Sequence, residues 1–221
     1  KLEKKLPKLN GPVKGPVSGI TKSVVILLHG YGANGDDLIG LAPALSLALP
    51  DTLFVAPNAP YPCPQNPFGG LQWFNVLEEK HQERLAQIRM AAFIIDAFID
   101  SELKRLGIEE NKLALLGFSQ GTMLSLHVGL RRSKSPAGIL AYSGRLEAPE
   151  LLPEEINVRP PVVIIHGEDD PLIPVNLMDV AADSLRENGV KVNTHNRHGL
   201  QHGIDQEGVT IGTEFLRSVL L

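Results

Sequence analysis

One cysteine, Cys63, stands in 221 residues, so no intrachain disulfide can form and the chain is compatible with a reducing compartment. It lies in Pro62-Cys63-Pro64 with no motif around it and reads as a bystander thiol. No run of about 18 apolar residues occurs, which excludes a membrane-spanning helix and stable membrane insertion. Positive charge is also scarce. Lys and Arg number 21 against 25 Asp and Glu, a formal net charge of -4, so there is no general basic surface and nucleic acid is excluded as a partner. There is no H-E-x-x-H and no cysteine pair, hence no familiar metal motif. Neither an internal repeat nor a low-complexity segment is present. The one basic stretch, with Lys1, Lys4, Lys5, Lys8 and Lys14 against Glu3, reads as a solvated tail. No apolar segment of roughly 7–15 residues follows it, so no signal peptide is expected in these residues. The chain begins at lysine and not methionine, which leaves a removed leader open. The expected location is cytoplasmic.

The length suits one sizeable core and is short for two domains, and 43% hydrophobic with 21% charged residues is ordinary for a globular chain. Residues 1–22 are expected as a basic segment leading into a domain over 23–221. From Ser23 the pattern alternates strand and helix. Val24–Leu28 and Thr52–Ala56 are continuous apolar runs, as expected of strands buried on both faces of a parallel sheet. A helix is expected from about Asp36 to Leu49. Pro57 to Gly70, with five prolines and two glycines, is expected as a structureless loop of the functional kind. Gln82–Leu106 has the clearest helical spacing, closed by Gly107. Further strands are expected at Leu113–Leu116, Ile139–Tyr142 and Val162–His166, and an edge strand at Val190–Arg197. Asp205 can cap a last amphipathic helix. Such alternation means an α/β fold, a mostly parallel sheet covered by helices on both faces.

Between the strand ending near Leu116 and an apolar helix from Gln120 to Arg131 lies Gly117-Phe118-Ser119-Gln120-Gly121. A nucleophilic serine must stand clear of the backbone at a tight strand-to-helix turn, and glycine at both ends leaves room for the neighbouring elements. In such sheets functional groups gather at the carboxyl ends of strands. Here those ends offer His29-Gly30-Tyr31-Gly32, Ser119, Gly167-Glu168-Asp169-Asp170-Pro171 and His198-Gly199-Leu200-Gln201-His202. Serine needs a base, and the imidazole needs a carboxylate to fix its tautomer. The order Ser, Asp, His along the chain suits that triad. Any of Glu168, Asp169 and Asp170 could reach the histidine, but Pro171 restricts the residue before it to extended backbone, favouring Asp170.

Together, His29-Gly30-Tyr31-Gly32, Trp73-Phe74, Gly117–Gly121, His166-Gly167 through Pro174 and His202-Gly203-Ile204 resemble the phospholipase/carboxylesterase family of bacterial carboxylesterases and acyl-protein thioesterases, over roughly Val24 to the C-terminus. The resemblance implies an α/β-hydrolase without a separate cap domain. It implies Ser119 as nucleophile, Asp170 as acid, His202 as base, and the N–H groups of Tyr31 and Gln120 as an oxyanion hole. Two positions depart from the family: Asn75 follows Trp73-Phe74 where aspartate is usual, and Gln201 precedes His202 where glycine is usual. Trp73 and Phe74 read equally as core or as an acyl wall, and Leu71, Phe118 and Leu172 are grouped with them as substrate-binding candidates. His195, His198 and His202 raise a metal site, but on a strand-to-loop stretch their spacing does not converge. His127 reads as a satisfied core residue, His81 as a surface one, and His29 and His166 as supports at strand ends. The expected activity is hydrolysis of short- to medium-chain carboxylic esters through an acyl-enzyme, with no metal or organic cofactor. A thioesterase or lysophospholipase is the alternative enzyme and a non-catalytic binding protein the remote one. The expected partner is a small-molecule ester; a homodimer is left open.

Overall fold

The apolar runs form the centre of one seven-stranded sheet. The computed structural model describes residues 6–221, so Lys1, Lys4 and Lys5 of the basic stretch lie outside the described residues. The strands of this sheet are β1 (Val13–Lys14), β2 (Ser23–Leu28), β3 (Thr52–Val55), β6 (Leu113–Phe118), β7 (Gly138–Tyr142), β8 (Val162–Gly167) and β9 (Val192–Arg197). Their spatial order is β1-β3-β2-β6-β7-β8-β9, and every pairing is parallel except β1 with β3. A separate two-stranded ribbon pairs β4 (Tyr61–Pro62) with β5 (Leu71–Gln72).

Alternation along each inner strand divides the side chains between two cores. Val24, Ile26, Leu28, Leu113, Leu115, Ile139 and Ile164 face one side, and Val25, Leu27, Ala114, Leu116, Leu140 and Ile165 the other. The first core is covered by α3 (His81–Leu106), α4 (Gln120–Gly129), α5 (Leu152–Glu155) and α6 (Asn176–Glu187), the second by α1 (Gly35–Ile39), α2 (Ala42–Ala48) and α7 (Gln206–Leu220). Gly107 ends α3 in the left-handed conformation, φ 64, and Asp205 caps α7 by accepting the Gly208 N–H at 2.8 Å.

Three expectations need correction. The helix expected from Asp36 to Leu49 is two, because Pro43 sits in the first turn of α2, where a missing N–H is tolerated, and the chain bends at Gly40-Leu41 before it. The Pro57–Gly70 stretch is not structureless. Its β4 pairs with β5, and Cys63 donates its N–H to Gly70 O at 2.8 Å. Val13–Lys14, inside the basic segment, is an edge strand whose pairing register is Val13 to Val55.

β6 lies at the middle of the sheet between β2 and β7, so its carboxyl end is flanked by the ends of both. Nothing larger than the short α5 is inserted between β7 and β8, and no cap domain stands on the sheet's carboxyl edge among the described residues. No helix among the described residues is long and apolar enough to cross a membrane.

Candidate active site

At the end of β6 the chain reverses into α4 within one residue. Ser119 takes φ 54 and ψ -114, a conformation that costs on the order of 1–3 kcal/mol for a residue with a side chain. The surroundings hold it there. Its N–H donates to Tyr142 O at 3.0 Å, and its carbonyl accepts from Met123 N at 3.2 Å. A Cβ at Gly117 would stand 2.5 Å from the Gly121 and Thr122 backbone, and one at Gly121 would overlap the Leu28 carbonyl. Both glycines are therefore demanded by close approach of β2, β6 and α4.

Asp170 follows β8 in a turn of its own making. Its Oδ1 accepts the N–H groups of Leu172 and Ile173, both at 2.9 Å. Its Oδ2 accepts Nδ1–H of His202 at 2.7 Å and lies 3.4 Å from His166 Nε2. Burial pushes the Asp170 carboxyl up, but the Ile173 N–H, His202 and the Leu172 N–H outweigh it and hold it below its ordinary value. With Nδ1 donating, a neutral His202 leaves Nε2 as an acceptor, the tautomer a general base needs. Asp169 uses its backbone N–H on Leu200 O at 3.0 Å. Glu168 pairs its carboxylate with exposed His198 at 2.8 Å, which raises that imidazole's pKa.

The loop bearing His202 is fixed at its base and its tip. Arg197 and Asp205, either side of it, pair at 3.0 Å. Ser143, another residue at positive φ (50), donates its hydroxyl to Gly203 O at 3.1 Å. Gly144, next to Ser143, lies against the Ser119 carbonyl. Thus one turn after β7 braces both the elbow and the histidine loop, a role the sequence does not advertise. Left-handed backbone in the histidine loop is supplied by Gly199, φ 71, so Gln201 needs no glycine. The Phe118 and His202 rings lie 5.0 Å apart.

Across the elbow, the turn after β2 is held by a web of backbone bonds. Gly32 N–H donates to Leu71 O at 2.8 Å, Leu71 N–H to Ala33 O at 2.9 Å, and Asn66 Nδ2 to Gly32 O at 2.8 Å. The Tyr31 hydroxyl donates to Gln65 Oε1. His29 keeps its proton on Nδ1 against Gly30 O while Nε2 accepts from Ala59 N–H at 3.0 Å; burial lowers its pKa, so it stands as a neutral brace. Gln120 is fully buried, and its side-chain amide accepts from Trp73 N–H at 2.9 Å and donates to Phe74 O at 2.8 Å. Trp73 Nε1–H reaches His29 O at 3.0 Å. As first residue of α4, Gln120 has no carbonyl one turn back to take its own N–H.

The substrate-binding candidates separate. Trp73 and Phe74 are buried in the first core, Leu71 is half-buried beside Ala33, and Leu172 is 71% exposed. Asn75 uses its N–H on Gln87 Oε1 at 3.0 Å and accepts from Leu77 N–H at 3.0 Å. His166 donates Nε2–H to Ile173 O at 2.8 Å. His127 departs from expectation: it is buried, but its Nδ1 has no hydrogen-bond partner among the described residues.

Three comparisons bear on this arrangement. The family model described as Phospholipase/Carboxylesterase matches residues 17–220. The chain is 28% identical to acyl-protein thioesterase 1 of Schizosaccharomyces pombe over 223 aligned positions, covering 96% of this chain and 97% of that protein. Its structure resembles that of esterase PE8 with a TM-score of 0.92 and 42% identity, covering 97% of this chain and 100% of the other. The Bacillus cereus carboxylesterase, 17% identical with a TM-score of 0.76, covers 96% of this chain with 94% of its own and shares the fold.

Proposed function

The chain belongs to the phospholipase/carboxylesterase family and is a hydrolase of the carboxylesterase and thioesterase type with the α/β-hydrolase fold, and from that premise we propose that it is a serine carboxylesterase acting on short- to medium-chain esters. The observation that carries the reading is the Asp170–His202 pair at 2.7 Å, with the His202 ring packed on Phe118, the residue before Ser119.

In this reading Ser119 Oγ attacks the ester carbonyl while His202 Nε2 takes its proton. Asp170, ionised and pinned by two backbone N–H groups, holds the imidazole tautomer and stabilises the imidazolium. The backbone N–H groups of Tyr31 and Gln120 receive the negative charge on the carbonyl oxygen, aided by the positive end of α4. Collapse of the tetrahedral intermediate expels the alcohol, protonated by His202. Water then attacks the acyl-enzyme by the same route. Asp169 has no part in this reading, because the carboxylate that His202 Nδ1 meets is that of Asp170. No step calls on a metal or organic cofactor. The absence of a cap between β7 and β8 leaves only the Pro57–Gly70 loop and neighbouring side chains to enclose the acyl group, which favours short to medium chains. A single thiol among 221 residues suits a reducing, cytoplasmic setting.

A thioesterase activity is the second reading, favoured by the 28% identity to a protein named acyl-protein thioesterase 1. Rates on paired oxoesters and thioesters of equal acyl length, from two to sixteen carbons, decide between them. An oxoester kcat/KM that peaks at short to medium length supports the carboxylesterase. A preference of about a hundredfold for long-chain thioesters would replace it with the second reading.

A further inference from the structure

A pocket of about 260 Å³ lies beside the elbow on the face of the sheet covered by α1, α2 and α7. Its apolar walls are Ala33, Leu38, Leu41, Phe118 and Ile204, and the backbone of Gly30 lines it as well. Gly30 also packs against the elbow: a Cβ there would stand 3.1 Å from the Phe118 ring and 3.3 Å from Ser119 Cβ. Of its lining residues, Gly30 and Phe118 thus neighbour the serine. Two features place it on the imidazole's side. Phe118 forms its wall and packs 5.0 Å from the His202 ring, and Ile204 is two residues past His202. The polar groups at its margin are committed. His29 is neutral through burial, with both ring nitrogens hydrogen-bonded, and the Asp37 carboxylate caps α1 by accepting the Asn34 N–H at 3.1 Å.

We propose that this pocket is the leaving-group subsite, which takes the alcohol half of the ester when that half is a neutral, apolar alkyl or aryl group. The assignment rests on the serine-esterase reading. In that chemistry the imidazole must deliver its proton to the departing oxygen, so the alcohol sits against His202 while the acyl group stays on Ser119. Size fits an aryl group, since a cavity of roughly 150 Å³ already takes benzene. The Asp37 carboxylate disfavours anionic alcohols. Each methylene buried in the pocket is expected to raise kcat/KM about fourfold.

The test uses acetates of methanol, butanol, phenol and 2-naphthol, with the intact protein and two variants at half-buried wall positions, Leu41→Trp to fill the pocket and Ile204→Ala to enlarge it. All acetates pass through one acetyl-enzyme, so the subsite acts on acylation, read as kcat/KM, and leaves deacylation alone. The phenyl-to-methyl ratio of kcat/KM is expected to fall about tenfold or more in Leu41→Trp. The naphthyl-to-phenyl ratio is expected to rise severalfold in Ile204→Ala, with the acyl-length profile of p-nitrophenyl esters unchanged in both. Titration with a serine-directed phosphonate counts the folded sites, and if Leu41→Trp does not fold, Ile204→Ala carries the test alone. Ratios within twofold of the parent in the folded variants, or a shift in the acyl series in place of the alcohol series, would overturn the assignment. Failure of the parent protein to hydrolyse any acetate would sink the esterase reading itself, a different result from hydrolysis with unmoved ratios.

Discussion

Ser119 and Asp170 are held in opposite ways, and the difference suits the nucleophile and orienting-carboxylate roles proposed for them. Ser119 is strained, at φ 54 and ψ -114, where the chain turns from β6 into α4. Asp170 is relaxed in a turn that spends one carboxylate oxygen on two N–H groups and gives the other to His202. An orienting carboxylate works by not moving, and Pro171 keeps the backbone before it extended. Asp170→Asn is therefore expected to lower kcat on the order of 10⁴-fold through the wrong histidine tautomer. Asp169→Asn, whose side chain makes none of these contacts, should cost less than about tenfold. Steady-state rates of both variants on one ester decide the matter, and the reverse order of losses would move the role to Asp169.

At the scale of elements, the elbow is a contact between backbones and not only a motif. Gly121→Ala would drive a methyl group into the Leu28 and His29 carbonyls. Neither the strand nor the helix start can give, so a loss of about 3 kcal/mol or more is expected in urea unfolding; an unchanged midpoint would mean the elements are looser than described. Within α4, His127 is pushed down to about 4, first by burial and then by the Arg131 charge, with Glu155 opposing. Its folded pKa lies below its unfolded one. The folded state is therefore favoured at neutral pH, and that contribution is lost as pH falls from about 6.5 towards 4, amounting to roughly 3 kcal/mol. In His127→Leu this part of the acid sensitivity should vanish, which unfolding free energies at pH 7 and pH 4.5 measure directly. Equal slopes in both proteins would count against a neutral, buried His127.

How far elements can be read from the chain depends on whether their cause is local. The inner strands and α3 are written in apolar runs and in spacings of three and four, and the elbow in two glycines, so all are legible. Helix α6 also carries a local pattern, Met178, Ala181, Ala182 and Leu185, yet it is not picked out beside the strand-end motifs flanking it. The break between α1 and α2 is legible only if Pro43 is weighed above the apolar pattern. The β1 edge and the β4–β5 ribbon depend on partners distant in sequence. The same divide runs through the site. The serine, aspartate and histidine motifs are local signals, whereas the Ser143 hydroxyl on Gly203, the Gln120 amide on Trp73 and Phe74, and the pocket walled by Gly30, Phe118 and Ile204 arise only when separate loops meet.

For the whole molecule, the sheet acts as a platform whose carboxyl edge gathers four loops into one place. Their supports are shared: the β7 turn braces both elbow and histidine loop, and the Pro57–Gly70 excursion braces the Tyr31 turn. Stability and chemistry are thus coupled, and a variant must be shown to fold before its activity is interpreted. Ser119→Ala satisfies that condition well, because it removes only an oxygen atom that the fold does not lean on. The decisive measurement is turnover of p-nitrophenyl butyrate by the parent protein and by Ser119→Ala, with circular dichroism and the urea midpoint confirming equal folding. The account predicts hydrolysis by the parent, a loss on the order of 10⁴–10⁶ in kcat for the variant, and labelling by a serine-directed phosphonate in the parent alone. Undiminished turnover by a folded Ser119→Ala protein would contradict it.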